Sequence, residues 1–231
     1  MMVTAVAMAT ACATTTPAGR PGAAEVTPNP VVVPRPAIVS AAEWGSDPLP
    51  LAEEKRHTPN RLTIHHAGVL WPEGADVAQR TRNLQNFSKT ERPWGELPYH
   101  FLIAPDGRIF EGRSLDYAPE TNTGYDTHGH VGIQVWGNFE EQRVSPQQLE
   151  AIVRLSAWLC QNLQIAPGTI AGHCDVSPGR TVCPGKDLYR YISSGLIQSW
   201  VEETLAGNAP DVAPLEPLPD GPTVWIPMPA R

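Results

Sequence analysis

Val131–Gly137 reads VGIQVWG, a nearly continuous apolar run of the kind a strand buried on both faces requires. Upstream, Tyr99–Ala104 (YHFLIA), Pro105-Asp106-Gly107 and Arg108–Gly112 (RIFEG) give strand, turn and strand, a hairpin. Further back, Arg61–His66 (RLTIHH) carries β-branched residues into a His pair and reads as another strand. Between these, Asp76–Lys89 has Val77, Thr81, Leu84 and Phe87 at helical spacing, behind an Asp suited to cap it. Downstream, Ser145-Pro146 opens a helix with Ser as cap and Pro in the first turn. That helix carries Leu149, Ile152, Val153, Ser156, Leu159, Cys160 and Leu163 on one face and ends before Pro167-Gly168. Thr169–His173 (TIAGH) reads as a short strand ending in a His. Asp187–Leu205 reads as a last helix, with Leu188, Tyr191, Ile192, Leu196 and Trp200 inward. The order β, α, β-hairpin, β, α, β, α predicts an α/β fold: a single mixed central β-sheet covered by helices.

The chain has 231 residues, which suits one domain with extensions. Hydrophobic residues make up 41%, enough for a core, and the net charge of −7 argues against nucleic acid as a partner. Of 25 prolines, six fall in residues 1–40 and seven in 208–231. This divides the chain into an N-terminal segment (1–40), a domain (41–207) and a Pro-rich C-terminal tail (208–231). Residues 1–19 carry no charge, and the apolar Met1–Ala13 is too short to span a bilayer. It is similar to the end of a secretory signal, and Ala9-Thr10-Ala11-Cys12 to a lipobox in which Cys12 would be acylated, though a basic leader is missing and Ala9 stands where Leu is usual. The expectation is export, to the periplasm, cell envelope or exterior, with a membrane tether if Cys12 is lipidated. Without a signal in residues 1–19 the protein would be cytoplasmic. Residues 14–37 read as an extended Thr/Pro/Ala-rich tether. The tail either stays unstructured or docks through its apolar VWIPM.

Seven His and four Cys are few enough for placement to matter. His65 and His66 close one predicted strand. His173 closes another, and Cys183 follows ten positions later in the loop Val176–Lys186. Strand ends and the loops after them are where functional groups gather in α/β sheets. Two imidazoles and a thiolate would leave the fourth position of a tetrahedral Zn²⁺ open for water. Taken singly, a His at a strand end is more often a hydrogen-bonding surface residue than a ligand, and a lone Cys is more often a core filler. With no His-Glu-x-x-His and no Cys-x-x-Cys, spacing alone identifies no zinc site.

From about Ala42 to Leu205, however, the chain resembles the zinc-dependent N-acetylmuramoyl-L-alanine amidase family, which includes the peptidoglycan recognition proteins. The matching segments, in the family's order, are Glu43-Trp44-Gly45, Leu62–His66, Tyr99–Arg113, His130–Phe139 (HVGIQVWGNF) and Gly172–Gly185 (GHCDVSPGRTVCPG). The resemblance implies the peptidoglycan recognition protein-like amidase fold and one Zn²⁺ bound by His65, His173 and Cys183. His66 takes a position that varies and is not assigned to the metal. Members that only bind peptidoglycan usually lack the Cys, so Cys183 points to an enzyme. Tyr99 and Thr181 match positions that assist catalysis. Another branch uses a Glu on the central strand instead of the Tyr, and Gln134 stands at that place here. The implied substrate is peptidoglycan or a muramoyl-peptide fragment, cut between the lactyl group of N-acetylmuramic acid and L-alanine by a monomeric enzyme.

Other residues carry paired readings. Asp175 either accepts the second N–H of a ligand His or serves a turn. His128 and His130 line a glycan groove or bind nothing. Trp71, Trp94 and Trp136 offer flat faces to substrate or are packed. Cys160 and Cys174 pair or stay as thiols. His66 or Cys174 as a fourth ligand would make the zinc site structural. The competing functions are a non-catalytic peptidoglycan-binding module and a zinc hydrolase of another amide.

Overall fold

The apolar and β-branched residues of β2 (Arg61–His66) and β5 (His130–Val135) pair in parallel along their whole length, Arg61 opposite His130 and His66 opposite Val135. Every residue of β5 is buried, as its composition requires. The computed structural model describes Met2 and residues 31–230; the signal-like stretch and Cys12 lie outside the described residues. Around the central pair, one mixed sheet has the order β1-β4-β3-β5-β2-β6, as the alternation of elements predicts. It is completed by β1 (Ile38–Val39), β3 (Phe101–Ile103), β4 (Ile109–Glu111) and β6 (Ala171–Gly172). The antiparallel β3–β4 hairpin turns at Pro105–Gly107, where Gly107 takes φ +80° and donates its N–H to Ala104 O.

Helices α1 (Ala41–Trp44), α2 (Val77–Thr90) and α3 (Pro146–Leu163) each begin at a side-chain cap. Ser40 and Glu43 form a capping box on α1, which seats Trp44 so that its indole N–H reaches Glu111 O at 2.7 Å. Asp76 caps α2 as expected, but the inward face is Val77, Thr81, Gln85 and Ser88, while Phe87 is 40% exposed. Gln85 turns inward because its amide holds the Asp47 N–H, Ser46 and Glu96. Ser145 and Gln148 form the capping box of α3, whose buried stripe includes Leu149, Ile152, Ser156, Leu159 and Cys160.

Two expected elements are corrected. The strand proposed over Thr169–His173 is only Ala171–Gly172; Pro167–Thr169 forms a 3-10 turn and His173 opens the short helix α4 (His173–Val176). The single last helix is two, α5 (Lys186–Ser193) and α6 (Leu196–Leu205), broken where Gly195 takes φ +76°. The break rotates the second half, so that Ile197 is fully buried and Leu196 only partly.

The folded unit also takes in residues that composition assigns to the tether and tail. Val33 is buried, and the Gln161 amide of α3 holds both Val33 N–H and Val31 O at 2.8 Å. The tail docks through the apolar stretch. Arg143 N–H donates to Val224 O, Ile226 N–H donates to Arg143 O, and the Arg143 guanidinium lies 3.9 Å from the Trp225 ring. Ile226 is buried against Gly137 and Phe139. Further along the same strap, Leu215 N–H donates to Tyr191 Oη, Lys186 Nζ to Asp220 O, and Ala230 N–H to Ala75 O. Among the described residues, no helix is long and apolar enough to cross a membrane.

One buried ring, stacked on a half-buried one, sets a pH limit on the fold. His57 and His100 stack with centroids 5.7 Å apart. His100 Nδ1 accepts from Gly132 N–H at 2.9 Å and Nε2 faces Tyr117 O at 3.0 Å, which fixes one neutral tautomer. Burial pushes the His100 pKa down to about 3. The unfolded chain takes up this proton near pH ~6.5. The stabilisation is therefore complete above ~6.5 and is lost as pH falls toward about 3. His100→Asn is expected to lower stability at neutral pH yet flatten its decline between about pH 6 and 4 by about 1.4 kcal/mol per pH unit, read from urea unfolding of metal-free protein. Ile226→Ala is expected to lower the unfolding free energy by about 2–4 kcal/mol in the same assay, since the tail residue fills a core position.

Candidate active site

The register of β2 brings the candidate donors together. Thr63 and Ile64 pair with Ala171 and Gly172 of β6, so the residue after β6, His173, arrives beside His65 with ring centroids 4.5 Å apart. The chain then makes α4 and a loop and returns, with Cys174 N–H donating to Cys183 O at 2.8 Å. Glycine is required at two points of this return. A Cβ on Gly172 would lie 2.9 Å from Pro184 Cδ, and Gly185, at φ +88°, would place one 2.7 Å from the Phe139 carbonyl carbon.

One ligand atom from each of His65, His173 and Cys183 lies within 4.8 Å of the others. All three side chains are buried, at 2%, 7% and 7% exposure. His65 Nδ1 is 3.8 Å from Cys183 Sγ, close to the edge of about 3.5 Å that zinc–nitrogen and zinc–sulfur bonds span in a tetrahedron. The His66 N–H donates to Cys183 Sγ at 3.3 Å. His173 Nε2 meets Thr123 Oγ1 at 2.6 Å and Thr121 Oγ1 at 3.3 Å, which leaves Nδ1 for the cluster. Burial drives the His65 pKa well below its ordinary value, with His173 adding to it, and holds His173 at about 4. Both imidazoles are thus neutral, with lone pairs free to bind. Burial also pushes the Cys183 thiol up to about 12, against the pull of the His66 N–H. A buried thiol facing two neutral imidazoles ionises readily only beside a cation, and this soft, nitrogen-rich donor set suits Zn²⁺.

Tyr99 stands beside the cluster, its ring centroid 5.0 Å from that of His65. Its backbone is held by Arg113, whose N–H donates to Tyr99 O while its buried guanidinium holds the carbonyls of Trp94, Leu97 and Ala118. Thr181 lies in the return loop, where its hydroxyl accepts from Cys183 N–H at 3.0 Å. Gln134 sits opposite His65 on β5, buried, and its Nε2 has no hydrogen-bond partner.

Several side chains fall elsewhere. Asp175 does not hold a ligand His; its carboxylate accepts from Gly172 N–H at 2.8 Å and Tyr189 Oη at 2.5 Å, bracing α4 against α5. Thr123 occupies the position on His173 proposed for Asp175. His66 Nδ1 faces Phe139 N–H, outside the metal cluster. Among the described residues no fourth His, Cys, Asp or Glu joins the cluster. His128 is exposed and pairs with Asp126, and His130 is buried on Thr63. Trp71 and Trp136 are packed on each other, and Trp94 lies half-buried against Arg92. Cys160 and Cys174 are free thiols. Thr121, Thr123 and Tyr125, the last with its ring 5.5 Å from that of His173, line the cluster from an irregular loop in which no periodicity or motif marks them.

Comparison with known proteins bears on the family and the fold. Residues 55–186 match the family described as N-acetylmuramoyl-L-alanine amidase. The chain is 33% identical to peptidoglycan-recognition protein SD of Drosophila simulans over 166 residues, covering 71% of this chain and 85% of the relative. Among solved structures it is similar to the ectodomain complex of peptidoglycan recognition proteins LCa and LCx bound to tracheal cytotoxin, at TM-score 0.60 and 31% identity over 68% of this chain and 93% of that one. It is also similar to the N-acetylmuramoyl-L-alanine amidase LysC from Clostridium intestinale, at TM-score 0.56 and 27% identity over 70% of this chain and 98% of that one. With a matched core, a shared mixed sheet and both amidases and recognition proteins among its relatives, the chain belongs to the N-acetylmuramoyl-L-alanine amidase family, amidase type 2, of peptidoglycan recognition protein-like fold.

Proposed function

We propose that the protein is a zinc-dependent N-acetylmuramoyl-L-alanine amidase. The observation that carries this reading is the cluster of His65, His173 and Cys183: three buried donors with no fourth His, Cys, Asp or Glu among the described residues, the number a hydrolytic zinc site uses. The reaction adds water across the amide between the muramoyl lactyl group and L-alanine. The C–N bond breaks, the acyl carbon gains an oxygen, and the leaving nitrogen gains a proton. Zinc, when bound, supplies an acidified water and polarises the carbonyl.

The chain's own residues do the rest. Thr123 and Thr121 orient His173, and the His66 N–H stabilises negative charge on Sγ. Tyr99, whose ring packs on His65, donates its hydroxyl to the oxyanion as charge develops on the carbonyl oxygen. Burial raises the Tyr99 pKa, with the nearby Cys183 and Tyr125 adding to it, so the hydroxyl keeps its proton and stays a donor at neutral pH. Thr181 is too weak an acid to titrate; its side chain fixes the Cys183 backbone and leaves its O–H to orient water or substrate.

The test is hydrolysis of a muramoyl-peptide by the full chain. Wild type is expected to release a free L-alanine amine, a chelator to stop it, and added zinc to restore it. Cys183→Ala is expected to abolish activity, and Tyr99→Phe to lower kcat by roughly 10²–10³ with zinc content unchanged. Zinc-loaded wild type that binds muramoyl-peptides and cleaves none would instead make the protein a peptidoglycan-binding module. Thr123→Val is expected to weaken zinc about 10- to 100-fold in a competition with a chromogenic chelator, because it removes the nearer of the two hydroxyls on His173 Nε2.

A further inference from the structure

The chain has five tyrosines, and their hydroxyls divide cleanly. Tyr117 donates to Glu53, Tyr189 donates to Asp175, and Tyr191 accepts from Leu215 N–H. Tyr99 and Tyr125 have no hydrogen-bond partner on the hydroxyl among the described residues, and these two lie against the imidazoles of the cluster. Tyr99 packs on His65, with centroids 5.0 Å apart, and Tyr125 packs on His173 at 5.5 Å. The two rings therefore approach the cluster from its two histidines.

Tyr125 is held in place from several directions. Its ring meets His130 edge-on at 5.2 Å, and His130 is locked by Thr63 at 2.6 Å. Its N–H donates to Thr123 O at 3.0 Å, and Thr123 is the residue that grips His173 Nε2. One short segment thus orients a candidate ligand and sets Tyr125 at a fixed offset from it. The ring is half-buried between two imidazoles, while the hydroxyl is left unused by the fold. A rigid aromatic with an unspent donor is a common way to contact a polar ligand at low entropic cost.

We infer that Tyr125 is a second substrate-contacting hydroxyl of this site, donating from the His173 side to a carbonyl oxygen of the muramoyl-peptide while Tyr99 serves the scissile carbonyl from the His65 side. This rests on the amidase reading for the identity of the substrate. The two hydroxyls bracket the substrate across the cluster, so Tyr125 fixes how the acyl portion lies rather than taking part in bond breaking.

The test uses the zinc-loaded full chain with Tyr125→Phe, which keeps the ring and its packing, beside wild type and Tyr99→Phe. Tyr125→Phe is expected to raise KM about tenfold with kcat little changed, the mark of a contact made equally in ground and transition states. Zinc content and Tm stay at wild-type values. Tyr125→Leu, which removes the ring as well, checks whether packing alone accounts for the effect. Unchanged KM and unchanged muramoyl-peptide Kd in Tyr125→Phe, with wild type active, would overturn the inference and leave the amidase standing. If wild type never cleaves, the Kd of the same muramoyl-peptide decides: a tenfold weakening in Tyr125→Phe upholds the contact while the amidase reading fails, and an unchanged Kd sinks both.

Discussion

Parallel pairing of β2 with β5 on one side and β6 on the other is the constraint from which the site follows. A parallel strand cannot slip by one residue without moving its side chains to the opposite face. Because Ile64 pairs with Gly172, the chain leaving β6 must deliver His173 next to His65. Because His65 pairs with Gln134, the floor beside the cluster is set by β5. Cys183 is then the one donor brought in by a loop, and that loop is tied down by hydrogen bonds from Cys174 N–H to Cys183 O and from His66 N–H to Cys183 Sγ. The donors are preorganised by backbone pairing before any cation contributes.

That pairing also explains the chemical state of the donors. The strands bury everything between them, and burial favours the neutral form of each group. His65 and His173 are kept as free bases and Cys183 as a thiol until a positive charge arrives. Charge and fold are therefore linked at the centre of the sheet, as they are at His100, where a backbone N–H and a carbonyl fix the neutral ring.

Much of this was legible in the sequence, and what was not has physical reasons. The strands around VGIQVWG, RLTIHH and the Pro-Asp-Gly hairpin stand where the apolar run, the β-branched residues and the turn chemistry place them. His65, His173 and Cys183 came from the resemblance of whole segments, not from spacing, because a ligand set drawn from a strand, a short helix and a loop has no period. Helix ends failed where one residue decides: Gly195 breaks the last helix, and a strand drawn through His173 stops at Gly172. On α2, buried Gln85 overrode an apolar pattern because its amide satisfies three polar neighbours. Thr123 and Tyr125 were invisible because their value comes from what they touch after folding. In the tail the apolar VWIPM marked where docking could occur, but the proline-rich composition left open whether it does.

That docking has a consequence for how the molecule fluctuates. The strap fastens Ala75 in the loop after β2, Arg143 in the loop after β5, and Tyr191 on the helix that follows Cys183. Loops of this kind ordinarily open one by one, each at its own low free energy. Here both loops and the helix share a single bound segment with Ile226 in the core, so the rim of the site breathes as one cooperative unit, and amide exchange in all three segments is paced by release of the same strap.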